Sequence, residues 1–180
     1  MRIVLLGDSH LDRVRRDLHR LAPEPGVEVV NAAVGGSFAF ELRGQADGVH
    51  LRPEDAVVVS VGTNDAAPWK AVPPYDFETN LRELLDHLAD LGTTRLGRLV
   101  YVTPPGVDEA RLGGPGDRTS AVVASYAAIG ARLTTEAGGR VVDALALLAP
   151  LGAAAYLDDG VHLTGAAYDL LLPAVADALR

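Results

Sequence analysis

The sequence predicts an α/β fold in which helices cover both faces of a five-stranded parallel sheet. Three observations carry this reading. Short apolar bursts recur at wide spacing, segments with a helical apolar stripe lie between them, and each burst leads into Gly, Asn, Asp or Pro. A strand covered on both faces is apolar without alternation, as in parallel sheets.

The bursts are Ile3–Leu6, Val27–Val30, Ala56–Val61, Leu99–Val102 and Val141–Val142. Between the first two, Leu11, Val14, Leu18 and Leu21 fall on one face of a helix over 11–21. A second helix over 77–91 repeats Leu81, Leu84, Leu85, Leu88 and Leu91 at the 3.6-residue period. A third, over 119–137, follows Gly-Pro-Gly-Asp and turns Val122, Val123, Tyr126, Ile129 and Leu133 inward. The last starts near Thr164 and runs to Leu179, with Pro173 as a kink point. This β-α alternation, joined by right-handed crossovers, gives one domain over residues 1–180. Five strands favour the flavodoxin-like order 2-1-3-4-5, in which ligands bind beyond the carboxyl ends of the strands.

Composition narrows the function. The chain of 180 residues has 24 acidic and 16 basic side chains, a formal net charge of −8, and Lys70 as its only lysine. Nucleic acid is not an expected partner, because phosphate binding needs a concentrated positive field. There are no cysteines, which removes disulfides and thiolate chemistry. The apolar start ends at Leu6, short of a secretory leader, and no stretch approaches the ~20 apolar residues of a membrane span. A cytoplasmic location is the default expectation. The Gly/Pro-rich loop Pro104–Gly116 lacks the lysine of a phosphate-cradling loop, and no G-x-G-x-x-G follows the first strand, so no cofactor is expected. Asp8, Asp65, Asp159 and His162 offer oxygen and nitrogen ligands, but no H-x-H or H-E-x-x-H spacing supports a metal.

The chemistry gathers at the strand ends. Asp8 and Ser9 follow the first strand; Asn31, Gly35, Gly36 and Ser37 follow the second; Gly62, Thr63, Asn64 and Asp65 follow the third; Asp159 and His162 precede the last helix. Taken singly, each has a plainer reading: Asp8 or Ser9 as a helix cap, the Gly and Asn-Asp pairs as turns, His162 as a surface residue. Together they supply each part of acyl transfer. A serine needs a base to become a nucleophile, an acid fixes the tautomer of that histidine, and backbone and amide N–H groups stabilise the oxyanion. Ser9 is the candidate nucleophile, His162 the base and Asp159, three residues before it, the orienting acid. Ser9 N–H, Gly36 N–H and the Asn64 amide are the candidate oxyanion donors. A noncatalytic binding domain that keeps the fold is the competing class.

These segments resemble the SGNH hydrolases, the GDSL esterase/lipase superfamily. Gly7-Asp8-Ser9-His10, Asn31-Ala32-Ala33-Val34-Gly35-Gly36, Gly62-Thr63-Asn64-Asp65 and Asp159-Gly160-Val161-His162 match its blocks in order. The resemblance implies a three-layer α/β/α sandwich and the same triad and oxyanion residues, with Gly36 favoured over Gly35 because it lies five positions after Asn31. His10 stands where leucine is usual; it either contacts a polar substrate or packs under the first helix. Asp8 is read as holding the turn.

With no segment to spare for a lid, the site is expected to be open and polar, suited to short acyl esters, acetyl-type, of a small polar molecule. Substrate-pocket candidates are His10, Phe38, Asp65, Trp69 and Val161, with Phe40 and Tyr75 nearby. The same triad serves an acyltransferase or a thioesterase equally well, and the oligomeric state is not encoded in any visible pattern.

Overall fold

A computed structural model describes residues 1–22, 25–70, 72–92, 98–114 and 117–180. Its sheet contains β1 (Arg2–Gly7), β2 (Glu28–Asn31), β3 (Ala56–Ser60), β4 (Leu99–Val102) and β5 (Arg140–Val142). The order is β2-β1-β3-β4-β5 and every pairing is parallel. The helices are α1 (Ser9–Asp12), α2 (Leu42–Gly48), α3 (Pro74–Asp90), α4 (Ser120–Glu136), α5 (Ala144–Leu148) and α6 (Gly165–Ala178).

Strand alternation divides the core in two. Ile3, Leu5, Val58, Val100 and Val102 face one side, where Leu11, Val14, Leu148, Leu171 and Val175 meet them. Val4, Leu6, Val57, Val59 and Tyr101 face the other, against Leu42, Phe77, Leu81, Leu84 and Val123. Both faces are therefore apolar along each central strand, which is why the bursts show no period of two. Each of these buried leucines contributes roughly 2 kcal/mol relative to an exposed one.

Helix ends follow local chemistry. Pro74 opens α3 at its first turn, where its missing N–H costs nothing, three residues before the expected start at Phe77. Thr119 and Thr164 cap α4 and α6 by accepting the Val122 and Ala167 N–H groups. Pro173 lies inside α6 without ending it. The expected helix over 11–21 is instead α1 followed by 3-10 turns at Arg13–Arg16 and Leu18–Arg20. Leu11 to Val14 and Leu18 to Leu21 are three-residue steps, so 3-10 turns still bury Leu11, Val14 and Leu21. Two helices have no counterpart in the sequence reading. In α2 only Leu42 and Ala46 face the core among polar residues and two glycines, and α5 is too short to display a stripe. Of the expected loop 104–116, Pro115 and Gly116 lie outside the described residues, while Pro104 to Val107 are buried. Among the described residues no helix is long and apolar enough to cross a membrane.

Helix α4 packs against β4 through its glycine. Tyr101 is fully buried and its hydroxyl donates to the Val61 carbonyl at 2.8 Å. A Cβ at Gly130 would overlap the Tyr101 ring. Gly130→Ala is therefore expected to overpack this interface by about 1–3 kcal/mol despite its better helix propensity. Urea unfolding checks this: the midpoint falls with the slope unchanged.

Candidate active site

β1 delivers the first reactive side chain. Its last residue, Gly7, lies so close to β3 that a Cβ would overlap the Ser60 carbonyl. Gln45 on α2 holds Gly7 from the opposite side, accepting its N–H at 2.8 Å and donating to its carbonyl at 3.0 Å. Asp8 then caps α1, its Oδ1 accepting the His10 N–H at 3.0 Å. Ser9 is the first helical residue, partly exposed at the sheet edge.

The second reactive segment comes from the far end of the chain. Tyr156 and Leu163 form an antiparallel bridge, the Leu157 N–H donates to the His162 carbonyl at 2.7 Å, and Gly160 N–H donates to Leu157 O at 2.9 Å. Gly160 has φ +70°, and a Cβ there would lie 2.6 Å from the Asp108 carbonyl, so the turn favours glycine twice over. This compact loop places His162 Nε2 3.1 Å from Ser9 Oγ and His162 Nδ1 2.6 Å from Asp159 Oδ2. An ionised carboxylate only accepts, which assigns the proton to Nδ1 and leaves Nε2 to accept from the serine hydroxyl. Asp159 Oδ1 accepts the Val161 and His162 N–H groups, both at 2.9 Å. Burial disfavours the Asp159 charge, but the hydrogen bonds from the His162 ring and from these N–H groups outweigh it and hold the carboxyl below its usual range.

The oxyanion candidates line the same cleft as Ser9. Val34 to Ser37 form a turn closed by Ser37 N–H donating to Val34 O at 3.2 Å, with Gly36 at φ +85°. A Cβ at Gly35 would sit 3.8 Å from Ser9 Cβ, so this turn lies directly against the serine. Asn64 Nδ2 donates to Ser37 O at 3.0 Å, which fixes the amide through one hydrogen and leaves the other without a partner among the described residues. Ser9, Gly35, Gly36, Asn64, Asp159 and His162 line a cleft of about 370 Å³, together with Val161, Asp12, Arg13 and Arg118.

Other expected pocket residues lie elsewhere. His10 is only 2 % exposed and packs beneath the site. Its Nδ1 faces Asp8 Oδ1 and its Nε2 the Val161 carbonyl, both at 3.2 Å. Burial opposes a charge on this ring, but the Asp8 carboxylate and the Val161 carbonyl prevail and raise its pKa. His10 thus ties the serine turn to the histidine loop and is not part of the cleft lining. Asp65, also expected in the pocket, is 1 % exposed and accepts the Ala39 N–H at 3.0 Å. Trp69 and Phe38 are not in the cleft lining: Arg118 lies 4.9 Å over the Trp69 ring, and Lys70 lies 4.7 Å over Phe38, which stacks on Phe40. Phe40 and Tyr75 line a separate depression with Val72 and Asp76. Gln45 and Arg118 went unread in the sequence, since neither belongs to a motif. Among the described residues, no three His, Asp or Glu side chains converge as a metal site would require.

The GDSL-like lipase/acylhydrolase family profile matches residues 5–170. The mouse (Mus musculus) isoamyl acetate-hydrolyzing esterase 1 homolog is 28% identical over 123 residues, 61% of this chain and 49% of that protein. The chain thus spans about half the length of that curated relative. Among solved structures, the lipase/acylhydrolase from Enterococcus faecalis is 22% identical with a TM-score of 0.79, covering 98% of this chain and 93% of that one. Axe2, an acetylxylan esterase from Geobacillus stearothermophilus, is 21% identical with a TM-score of 0.74 over 99% and 93%. At these identities, the structural likenesses establish the fold.

The buried Asp65 generates a stability prediction. Burial raises its pKa to about 6, against the opposing hydrogen bond from Ala39. The fold therefore favours the protonated carboxyl, and the associated stability, full below the unfolded value of ~3.9, is lost as pH rises through the folded value. Asp65→Asn keeps an acceptor for Ala39 and cannot ionise. In denaturant unfolding, the variant is expected to gain on the parent by about 2–3 kcal/mol between acid and neutral pH. A pH-independent difference would contradict the assignment.

Proposed function

The chain belongs to the GDSL-like lipase/acylhydrolase family, and on that premise we propose that it hydrolyses carboxylic esters through an acyl-enzyme on Ser9. The observation that carries this reading is the continuous relay from Ser9 Oγ to His162 Nε2 and from His162 Nδ1 to Asp159, at 3.1 and 2.6 Å.

In the first half-reaction, His162 Nε2 takes the Ser9 proton as Oγ attacks the ester carbonyl. Negative charge develops on the carbonyl oxygen, where Ser9 N–H, Gly36 N–H and the second Asn64 amide hydrogen stabilise it. One such donor is worth about 3–4 kcal/mol in transition-state stabilisation. His162 then returns the proton to the departing alkoxide, releasing the alcohol. Water attacks the acyl-enzyme in the second half, with His162 again as base, and the acid leaves. Asp159 holds the ring and stabilises the transient imidazolium without taking the proton itself.

The substrate reading is a short, acetyl-type acyl ester of a polar molecule. The open cleft is small, its walls around Ser9 are glycine backbone and polar side chains, and the mouse relative is named for an acetate ester. Transfer to an alcohol in place of water, or attack on a thioester, uses the same groups.

Ser9→Ala and His162→Ala are each expected to lower kcat on para-nitrophenyl acetate by at least about 10³-fold while the thermal midpoint stays near that of the parent. A fluorophosphonate should label Ser9, and labelling should collapse in His162→Ala. Retained turnover in Ser9→Ala would remove the nucleophile assignment. A panel of esters of graded chain length, with and without acceptor alcohols, reads acyl preference and separates hydrolysis from transfer.

A further inference from the structure

The charges lining the cleft are unequally committed. Two are negative. Asp159 has both carboxylate oxygens engaged, by the His162 ring and by two backbone N–H groups. Asp12 is paired with Arg15 Nε at 2.7 Å. Two are positive. Arg13 is exposed and makes no ion pair among the described residues. Arg118 is only 8 % exposed: its Nη1 donates to Thr63 O at 2.8 Å, its Nε meets Asp117 Oδ1 at 3.3 Å, and Trp69 backs the guanidinium. Among the described residues Nη2 has no hydrogen-bond partner.

This arrangement differs from an ordinary surface arginine. Thr63 immediately precedes Asn64, so the bond that fixes Arg118 also locks it beside an oxyanion candidate. A planar guanidinium held on one edge and one face loses little further freedom when it binds an anion, and charge-assisted bonds to carboxylates are the strong ones. The surroundings are not otherwise positive, since the whole chain carries −8. The lining is balanced in formal charge, Asp12 and Asp159 against Arg13 and Arg118, and the charged donors it leaves free among the described residues are Arg13 and Nη2 of Arg118.

Resting on the esterase reading above, we propose that the ester cleaved at Ser9 carries a carboxylate outside the scissile bond, and that Arg118 and Arg13 bind that carboxylate. The substrate class is then an acyl ester of a hydroxy acid or a half-ester of a diacid. Arg118 supplies a fixed donor and Arg13 a mobile charge at the entrance.

The test compares kcat/KM for two matched pairs, each corrected for spontaneous hydrolysis. In the first, para-nitrophenyl acetate is set against its carboxy-substituted nitrophenyl analogue, which places the carboxylate on the leaving group. In the second, para-nitrophenyl pentanoate is set against the mono-para-nitrophenyl ester of glutaric acid, which places it on the acyl side. At low ionic strength, at least one pair should favour the carboxylate by about tenfold, and molar salt should erode that preference. The preference should fall several-fold in Arg118→Gln and less in Arg13→Gln. Because Arg118 is buried and its variant could misfold, the exposed Arg13 provides an independent reading. No preference in either pair, or a preference unchanged in both variants, overturns the inference. Neutral esters cleaved in a Ser9-dependent way without carboxylate preference would remove this inference alone. Failure to cleave any of the four esters would remove the esterase reading itself.

Discussion

The reactive edge depends on how closely β1 and β3 approach at their carboxyl ends. A Cβ at Gly7 would overlap the Ser60 carbonyl, and that carbonyl accepts the Asp8 N–H at 3.1 Å. The chain leaves β1 toward one side of the sheet and β3 toward the other, so this contact lies at the point where strand order reverses. Two short loops can then emerge side by side, one carrying Ser9 and the other Asn64. Gln45 stabilises the same spot from above, since its amide serves Gly7 N–H, Gly7 O and Ser37 Oγ together. One side chain thus registers the serine turn against the glycine turn, and Asn64 closes the set by donating to Ser37 O.

The histidine loop poses a different problem, because it must meet a serine 153 positions earlier in the chain. Ordering such a loop costs about 1–2 kcal/mol per residue in backbone entropy. Backbone bonds within 157–162 and the Asp108 N–H donated to Gly160 O offset much of that cost. His10 adds a bond from the serine side, since its ring spans Asp8 and Val161. Burying an ionisable pair is rarely stabilising against an apolar alternative. Its return here is positional: a leucine at residue 10 would fill space but could not hold the Val161 carbonyl one residue from His162.

The parallel sheet was legible because buried strands write themselves as unbroken Val-rich runs, and the long helices α3 and α4 because their stripes extend over several turns. The strand order was favoured only by the number of strands, since order is written in no single run. The serine, asparagine and histidine segments were legible as motifs because each sits where a strand or loop ends in a sharp turn with restricted residue types. What stayed hidden was whatever depends on tertiary contact alone. Gln45 lies on a seven-residue helix with two glycines and no stripe. Arg118 acquires its place only when the start of α4 meets the β3 loop. His10 and Asp65 misled in the opposite direction, because polar residues beside motif residues look like substrate contacts until burial is known. Both have their polar atoms turned to the protein, one to the Val161 carbonyl and one to the Ala39 N–H.

The electrostatics of the edge follow from this division of labour. Asp8 and Asp65 are drawn inward to hold backbone N–H groups, while Asp159 is exposed at the cleft with both oxygens engaged by the His162 ring and two backbone N–H groups. Their work is structural, and the charged donors left to a solute in the cleft, among the described residues, are the exposed Arg13 and Nη2 of Arg118. A field set by such residues acts over roughly a Debye length, ~8–10 Å at physiological salt, which is comparable to the span of a small ester. A neutral ester approaching Ser9 gains nothing from it, whereas a carboxylate is both attracted and oriented. The donors that the cleft offers an anion can therefore arise without any basic cluster in the sequence, because the hydrogen bonds and ion pairs of the fold decide which acids and which guanidinium nitrogens are already occupied.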